Sequence, residues 1–139
     1  MYPEDFIAPM RQELVQLGVE EMRTPGEVDA RLGDASGTAL VVVNSMCGCA
    51  ARNARPAVGL ALRDAQVRPE RLTTVFAGQD GAATQRAREY FEGWAPSSPS
   101  IGLLKNGKPV FMLERSRIEG RSAEMIAEDL VAAFEEFCE

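Results

Sequence analysis

Two thiols one residue apart, Cys47 and Cys49 around Gly48, are the side chains of this 139-residue sequence best suited to chemistry. A third thiol is Cys138, and there is no histidine. The missing imidazole excludes a Ser-His-Asp triad, a Cys-His dyad and any His-ligated metal or haem. A close thiol pair can still perform thiol–disulfide exchange, bind a soft metal or cluster as thiolates, or simply pack as small apolar residues.

The surroundings of the pair favour exchange. Leu40-Val41-Val42-Val43 reads as a strand buried on both faces, and a helical pattern runs over 50–64, so Cys47 falls where a strand meets a helix. The unpaired N–H groups and positive dipole end of a helix start stabilise a thiolate over a thiol. Residues 35–63 hold no acid but include Arg52, Arg55 and Arg63, three positive charges in a chain of net charge -6. That field is expected to lower the pKa of Cys47 and to attract an anionic thiol or disulfide, making Arg52 and Arg55 candidate substrate-binding residues. Gly48 leaves both sulfurs open to approach. Cys47 is the expected nucleophile and Cys49 the resolving thiol. A disulfide between them closes a smaller ring than Cys-x-x-Cys does, which suits an oxidant or isomerase better than a strong reductant. As a soft-metal or cluster carrier, Cys47 and Cys49 would supply only two sulfurs. A dimer or a carboxylate would have to complete a tetrahedral site.

Ser98-Pro99 is the second informative pair. Proline directly entering a strand suits a cis bond or a strand start. With Pro99 cis, the Ser98 N–H and C=O would face outward to pair with an extended substrate; with Pro99 trans, the pair is an ordinary loop end. Cys138, beside Glu135, Glu136 and Glu139, is expected to have a raised pKa and to lie on a frayed, exposed terminus, with a back-up resolving role as the alternative. Tyr90, Phe91 and Trp94 share helical spacing and read as core. The acids over 119–139 read as a solvated helix face.

Periodicity and caps define the elements that must hold these groups. Phe6, Ile7, Met10, Leu14 and Leu17 recur at helical spacing as far as Gly18, an N-terminal helical extension over 1–18. Residues 19–22 suit a short strand. Thr24-Pro25-Gly26-Glu27 reads as N-cap, first-turn proline and capping-box glutamate, opening a helix that buries Val28 and Leu32 and ends in a turn over 34–37. Pro56 should kink the helix after Cys49. Then come a strand over 72–77, a helix from an Asp80 N-cap through Trp94, a strand over 101–104, an Asn106-Gly107 hairpin turn and a strand over 110–113. A helix capped by Ser122 and burying Ile126, Leu130, Phe134 and Phe137 closes the order. Strand–helix–strand units give parallel pairs and the hairpin an antiparallel edge. The fold class is therefore α/β, a mixed central sheet with helices on both faces plus an N-terminal helix, in a single domain over 1–139. The negative net charge argues against nucleic-acid binding. Glu4 and Asp5 stand where a signal peptide carries bases, and no apolar run is long enough for a membrane. A cytoplasmic protein without nucleic-acid or membrane partners is expected, as a monomer or weak homodimer.

The Cys motif after a strand, the proline in the following helix, the Ser-Pro before a hairpin and the closing helix together resemble a thioredoxin-like fold. More closely, Val41-Val42-Val43-Asn44-Ser45-Met46-Cys47-Gly48-Cys49-Ala50-Ala51, Thr74-Val75-Phe76-Ala77-Gly78-Gln79-Asp80 and Ala95-Pro96-Ser97-Ser98-Pro99-Ser100 resemble the bacilliredoxins. The similarity runs over essentially the whole chain, Cys138 included. It implies a thiol–disulfide oxidoreductase that removes bacillithiol, or another low-molecular-weight thiol, from mixed disulfides on client proteins, with associated disulfide isomerase activity. No bound cofactor is implied: the small thiol is a co-substrate, and the partners are S-thiolated proteins. In that scheme Cys47 attacks the client-bound thiol and carries it, and release goes through Cys49 or a second small thiol. Pro99 and Ser98 match the family's cis-proline and its partner. Val41 stands where thioredoxins carry a buried, proton-relaying acid, and Asn44 and Ser45 are left to hydrogen-bond the turn.

Overall fold

Seven consecutive buried residues, Thr38–Asn44, form the strand against which everything else is laid. In a computed structural model, which describes residues 1–33 and 36–138, the order is α1 (Glu4–Val15), β1 (Glu20–Glu21), α2 (Pro25–Leu32), β2 (Thr38–Asn44), a π-helical turn (Ala50–Ala54), α3 (Arg55–Asp64) and β3 (Arg71–Phe76). There follow α4 (Gly81–Glu89), β4 (Ser100–Lys105), β5 (Lys108–Leu113), a 3-10 turn (Arg115–Arg117) and α5 (Ala123–Phe137). The sheet order is β1-β3-β2-β4-β5. β2 runs parallel to β3 and antiparallel to β4, and β4 and β5 form the hairpin. This is the mixed sheet expected from the sequence.

The two-residue period of β2 sorts its side chains onto two cores. Leu40 and Val42 face Leu14 of α1, Ala57, Val58 and Ala61 of α3, and Leu130 and Phe134 of α5. Val41 and Val43 face Val28 and Leu32 of α2 and Ala83 and Ala87 of α4. Alanines at 54, 57 and 61 let α3 approach α5 closely, and Leu130 and Phe134 fill the space between. Leu40 has no exposed surface. Cutting it to Ala would cost about 2–5 kcal/mol through lost transfer energy and an unfilled cavity. Gly102 is the small residue β4 needs, because a Cβ there would lie 2.7 Å from Met112 Sδ and 2.8 Å from the Phe91 ring.

Local signals explain the element ends. Thr24 Oγ1 accepts from Glu27 N at 3.1 Å, while the Glu27 carboxylate accepts from Arg23 N at 2.7 Å. Asn106 and Gly107 have φ of 54° and 79°, the pair of positive values a tight hairpin turn requires. Ser122 accepts from Met125 N at 3.2 Å and starts α5. Two expectations change. Asp80 precedes α4 but makes no side-chain cap; its carboxylate turns instead to Arg11, 2.8 Å away. α4 stops at Glu89, short of Trp94, which is 43% exposed; only Phe91 of the three aromatics is fully buried. Residues 34 and 35 of the turn expected over 34–37 lie outside the described residues.

Candidate active site

The C-terminal end of β2 is fastened from three sides before the chain reaches its cysteines. Asn44, 2% exposed, donates through Nδ2 to Met10 O of α1 at 3.2 Å. Its Oδ1 accepts from Ser45 N at 2.9 Å and from Arg55 Nη1 at 3.0 Å. The same Nη1 donates to Ser45 O at 2.9 Å, and Arg55 Nε closes on the Glu13 carboxylate. The Asn44 C=O accepts from Ala77 N at 2.9 Å, which ties in the end of β3. A buried amide and a buried guanidinium need these partners, and the need fixes the backbone that presents Ser45, Met46 and Cys47.

Cys47 is half-buried and Ser45 is its nearest support. The Ser45 hydroxyl donates to Cys47 Sγ at 3.2 Å. Burial alone would push the Cys47 thiol up, but its pKa is lowered: the Ser45 hydroxyl, the N–H groups of Ala50 and Cys49 and the charge of Arg115 all favour the thiolate. Ala50 N and Ala51 N both donate to Cys47 O, at 3.1 and 3.2 Å, and start the helical segment. The first turn is wound as a π-helix over Ala50–Ala54, and Pro56 lies where it passes into α3, so the expected irregularity takes the form of a π-to-α junction.

Cys49 meets a different environment. Its Sγ lies 3.5 Å from Glu119 Oε2, and Arg115 Nη2 stands 4.0 Å away. Arg115 is paired with Glu119 at 3.0 Å and donates through Nη1 to Ser98 O at 3.1 Å. Its backbone N–H is received by Ser97 Oγ at 3.2 Å. Burial, the Glu119 carboxylate and the neighbouring Cys47 raise the Cys49 pKa, with Arg115 opposing. One ion pair from the segment after β5 thus reaches both thiols: Arg115 favours the thiolate at each, and Glu119 disfavours it at Cys49.

The candidate residues are distributed unevenly around this centre. The Ser98–Pro99 bond is cis, and the pairing of Val43 with Ser100 sets it just before β4, at the end of β2 from which the cysteine turn leaves. Ser98 O is not open as expected, since Arg115 occupies it. Arg52 is exposed, and its guanidinium fills the place of a Gly48 side chain: a Cβ there would lie 2.7 Å from Nη2. Arg55 is corrected from a substrate-binding to a supporting residue, because it is 4% exposed and already paired with Glu13, Asn44 and Ser45. Cys138 is likewise not frayed. It is 4% exposed, its pKa is raised by burial, and it is hydrogen-bonded by Thr38 at the start of β2. About 20 Å of strand separates that point from the end carrying Cys47, so Cys138 is not placed to resolve Cys47. Among the described residues no group of three or more His, Cys, Asp or Glu could hold a metal ion. The carboxylate beside Cys49 is shared with a guanidinium that would oppose a cation.

Arg115 and Glu119 are the site residues that sequence reasoning missed. The sequence places Glu119 on a solvated helix face, yet it lies in the turn ahead of α5 and reaches a thiol 70 residues away. Their i,i+4 spacing shows that they can pair with each other, but no local pattern shows that the pair lies over Cys49.

Comparison with known proteins gives the family and the fold. Residues 2–138 match the family described as Disulphide isomerase. The chain is 56% identical over 138 residues to a bacilliredoxin of Salinibacter ruber, covering 99% of this chain and 81% of the relative. It is 50% identical to one of Bacillus licheniformis, with 99% and 95% covered. Among solved structures it is similar to thioredoxin O2 of Arabidopsis thaliana (TM-score 0.56, 13% identity, 89% of this chain and 97% of that one). Oxidised thioredoxin from Plasmodium falciparum is similar too, with a TM-score of 0.54 at 16% identity, covering 84% and 97%. The distant structures establish the thioredoxin fold, and the relatives establish the chemistry class. The chain belongs to the bacilliredoxin family of thiol–disulfide oxidoreductases.

Proposed function

We propose that the protein removes a low-molecular-weight thiol, bacillithiol in the first instance, from mixed disulfides on client proteins in the reducing cytoplasm. The observation that carries this reading is the unequal treatment of two adjacent thiols. Cys47 is held toward the thiolate by Ser45, two backbone N–H groups and Arg115, while Cys49 is held toward the thiol. A nucleophile whose thiolate is favoured, beside a partner whose thiolate is disfavoured, suits the capture of a small thiol.

The Cys47 thiolate attacks the sulfur of the small thiol in the client's mixed disulfide. The old S–S bond breaks, the client sulfur leaves as thiolate and takes a proton from water, and the small thiol is carried on Cys47 as a new disulfide. An extended client segment pairs beside Ser98 and Pro99, exchanging Arg115 for its own backbone N–H at Ser98 O. The exposed guanidinium of Arg52 and the charge of Arg115 attract an anionic small thiol. The same attack on a client's internal disulfide would give isomerase activity.

Intact mass tests the reading. Cys49→Ala, incubated with a bacillithiolated protein, is expected to gain one bacillithiol on Cys47 while the client loses it. A client that stays modified and an enzyme that gains no mass would overturn it. Parallel reactions with glutathione- and coenzyme A-modified clients identify the small thiol used.

A further inference from the structure

We propose that Glu119 holds the resolving thiol Cys49 protonated, so that a small thiol carried on Cys47 is released chiefly by a second small thiol and not by an internal disulfide. This deepens the proposed function and rests on it. The carboxylate reaches the thiol from outside the motif: Cys49 Sγ donates to Glu119 Oε2 at 3.5 Å. The acceptor is also fixed in place. Arg115 grips the same oxygen through Nε at 3.1 Å and Nη2 at 3.0 Å. The Glu119 N–H donates to Arg115 O at 2.8 Å, and Ile118, with no exposed surface, anchors the turn between them.

The groups facing Cys49 are Cys47 from its own turn and Arg115 and Glu119 from the segment after β5, with Arg52 lying against Gly48. Ionising Cys49 would set a second negative charge against Oε2. Arg115, with Nη2 4.0 Å from the sulfur, relieves this only in part, because two of its nitrogens are committed to Glu119 and a third to Ser98 O. The thiolate is the attacking species in exchange, so a carboxylate that retains the proton slows Cys49.

The competing route needs no ionised Cys49. A second small thiol loses its proton to water and attacks the sulfur carried on Cys47. The symmetrical small-thiol disulfide forms, the bond to Cys47 breaks, and Cys47 departs as thiolate. Each sulfur and electron pair is accounted for, with no further oxidant.

Single-turnover reaction with one equivalent of 5,5′-dithiobis(2-nitrobenzoate) separates the steps. Attack by Cys47 releases one coloured thiolate, and attack by Cys49 on the resulting mixed disulfide releases the second. In Glu119→Gln the second phase is expected to run about three-fold or more faster at neutral pH, with its pH midpoint moved down. Lower nucleophilicity offsets about half of the ionisation gain on a logarithmic scale. Glu119→Asp, whose shorter arm withdraws the carboxylate, should fall between. A second phase that is unchanged or slower in Glu119→Gln overturns the proposal, the slower case making Glu119 a proton acceptor that assists Cys49. Absence of the first phase, or its persistence in Cys47→Ala, overturns the reading of Cys47 instead.

Discussion

The Glu13 carboxylate of α1 closes on the Arg55 guanidinium of α3, joining residues 42 apart in sequence at the end of β2. Arg55 is buried, and its Nη1 also donates to Asn44 Oδ1 and Ser45 O. The N-terminal helix is thus part of the support for the cysteine turn.

Arg55→Met should therefore do more than remove a charge. It leaves Ser45 O unpaired and strips a charged donor from Asn44, a loss on the order of 3 kcal/mol. Urea unfolding reads that loss, and alkylation of Cys47 should slow because Ser45 is no longer held under it. Glu13→Gln should cost less than about 1 kcal/mol, since Glu13 is half-exposed and the pair is partly screened. An Arg55→Met variant of unaltered stability and Cys47 reactivity would refute the supporting role.

Ser45→Ala tests the hydroxyl directly. The Oγ–Sγ contact of 3.2 Å favours the thiolate, so its removal should raise the Cys47 pKa. A hydrogen bond to a charged acceptor is worth about 1.5 kcal/mol, and iodoacetamide alkylation at pH below the thiol midpoint should slow about five- to ten-fold. The alkylation midpoint should move up, with the plateau rate at high pH little changed. A midpoint that stays in place would show that the backbone N–H groups and Arg115 suffice.

How much of this was legible in sequence depended on range. Val41, the Asn106-Gly107 turn and the Ser122 cap act through neighbours in the chain, and their elements were read correctly. Cys47 and Cys49 could be picked out because strand and helix patterns meet at them. Arg55 looked like an active-site cation because its charge was visible, while Glu13, which neutralises it, lay in another helix. Trp94 carried helical spacing, but Gly93, with φ of 90°, had already turned the chain away. Glu119 reads as part of a helix that begins only at Ala123. Its position over Cys49 comes from the β5-to-α5 connection, a tertiary fact with no local pattern.

Cys138 should make the reduced protein sensitive to alkali. Burial raises its pKa above the ordinary thiol value of 9.0. A group whose folded pKa is raised contributes stability that is fully present below the unfolded pKa and is lost as pH rises through the folded pKa. Wild type should therefore lose stability from about pH 9 upward more steeply than Cys138→Ala, which itself begins lower because a buried side chain has been cut back. Urea midpoints of both proteins from neutral pH upward decide this. Parallel curves would mean that the Cys138 environment does not penalise the thiolate.

The cation that activates Cys47 should be Arg115, not its sequence neighbours. Arg115 favours the Cys47 thiolate by its charge, whereas the Arg55 charge is consumed by Glu13 and Arg52 lies against Gly48. Arg115→Gln should slow Cys47 alkylation at neutral pH by about two- to five-fold, and Arg52→Gln by less. Arg115 is 43% exposed, so the difference should shrink as salt rises and screens the charge. The same variant frees Ser98 O, which should lower KM for an extended client even as the attack slows. Equal effects of the two substitutions, unchanged by salt, would return the activating field to the residues around the motif.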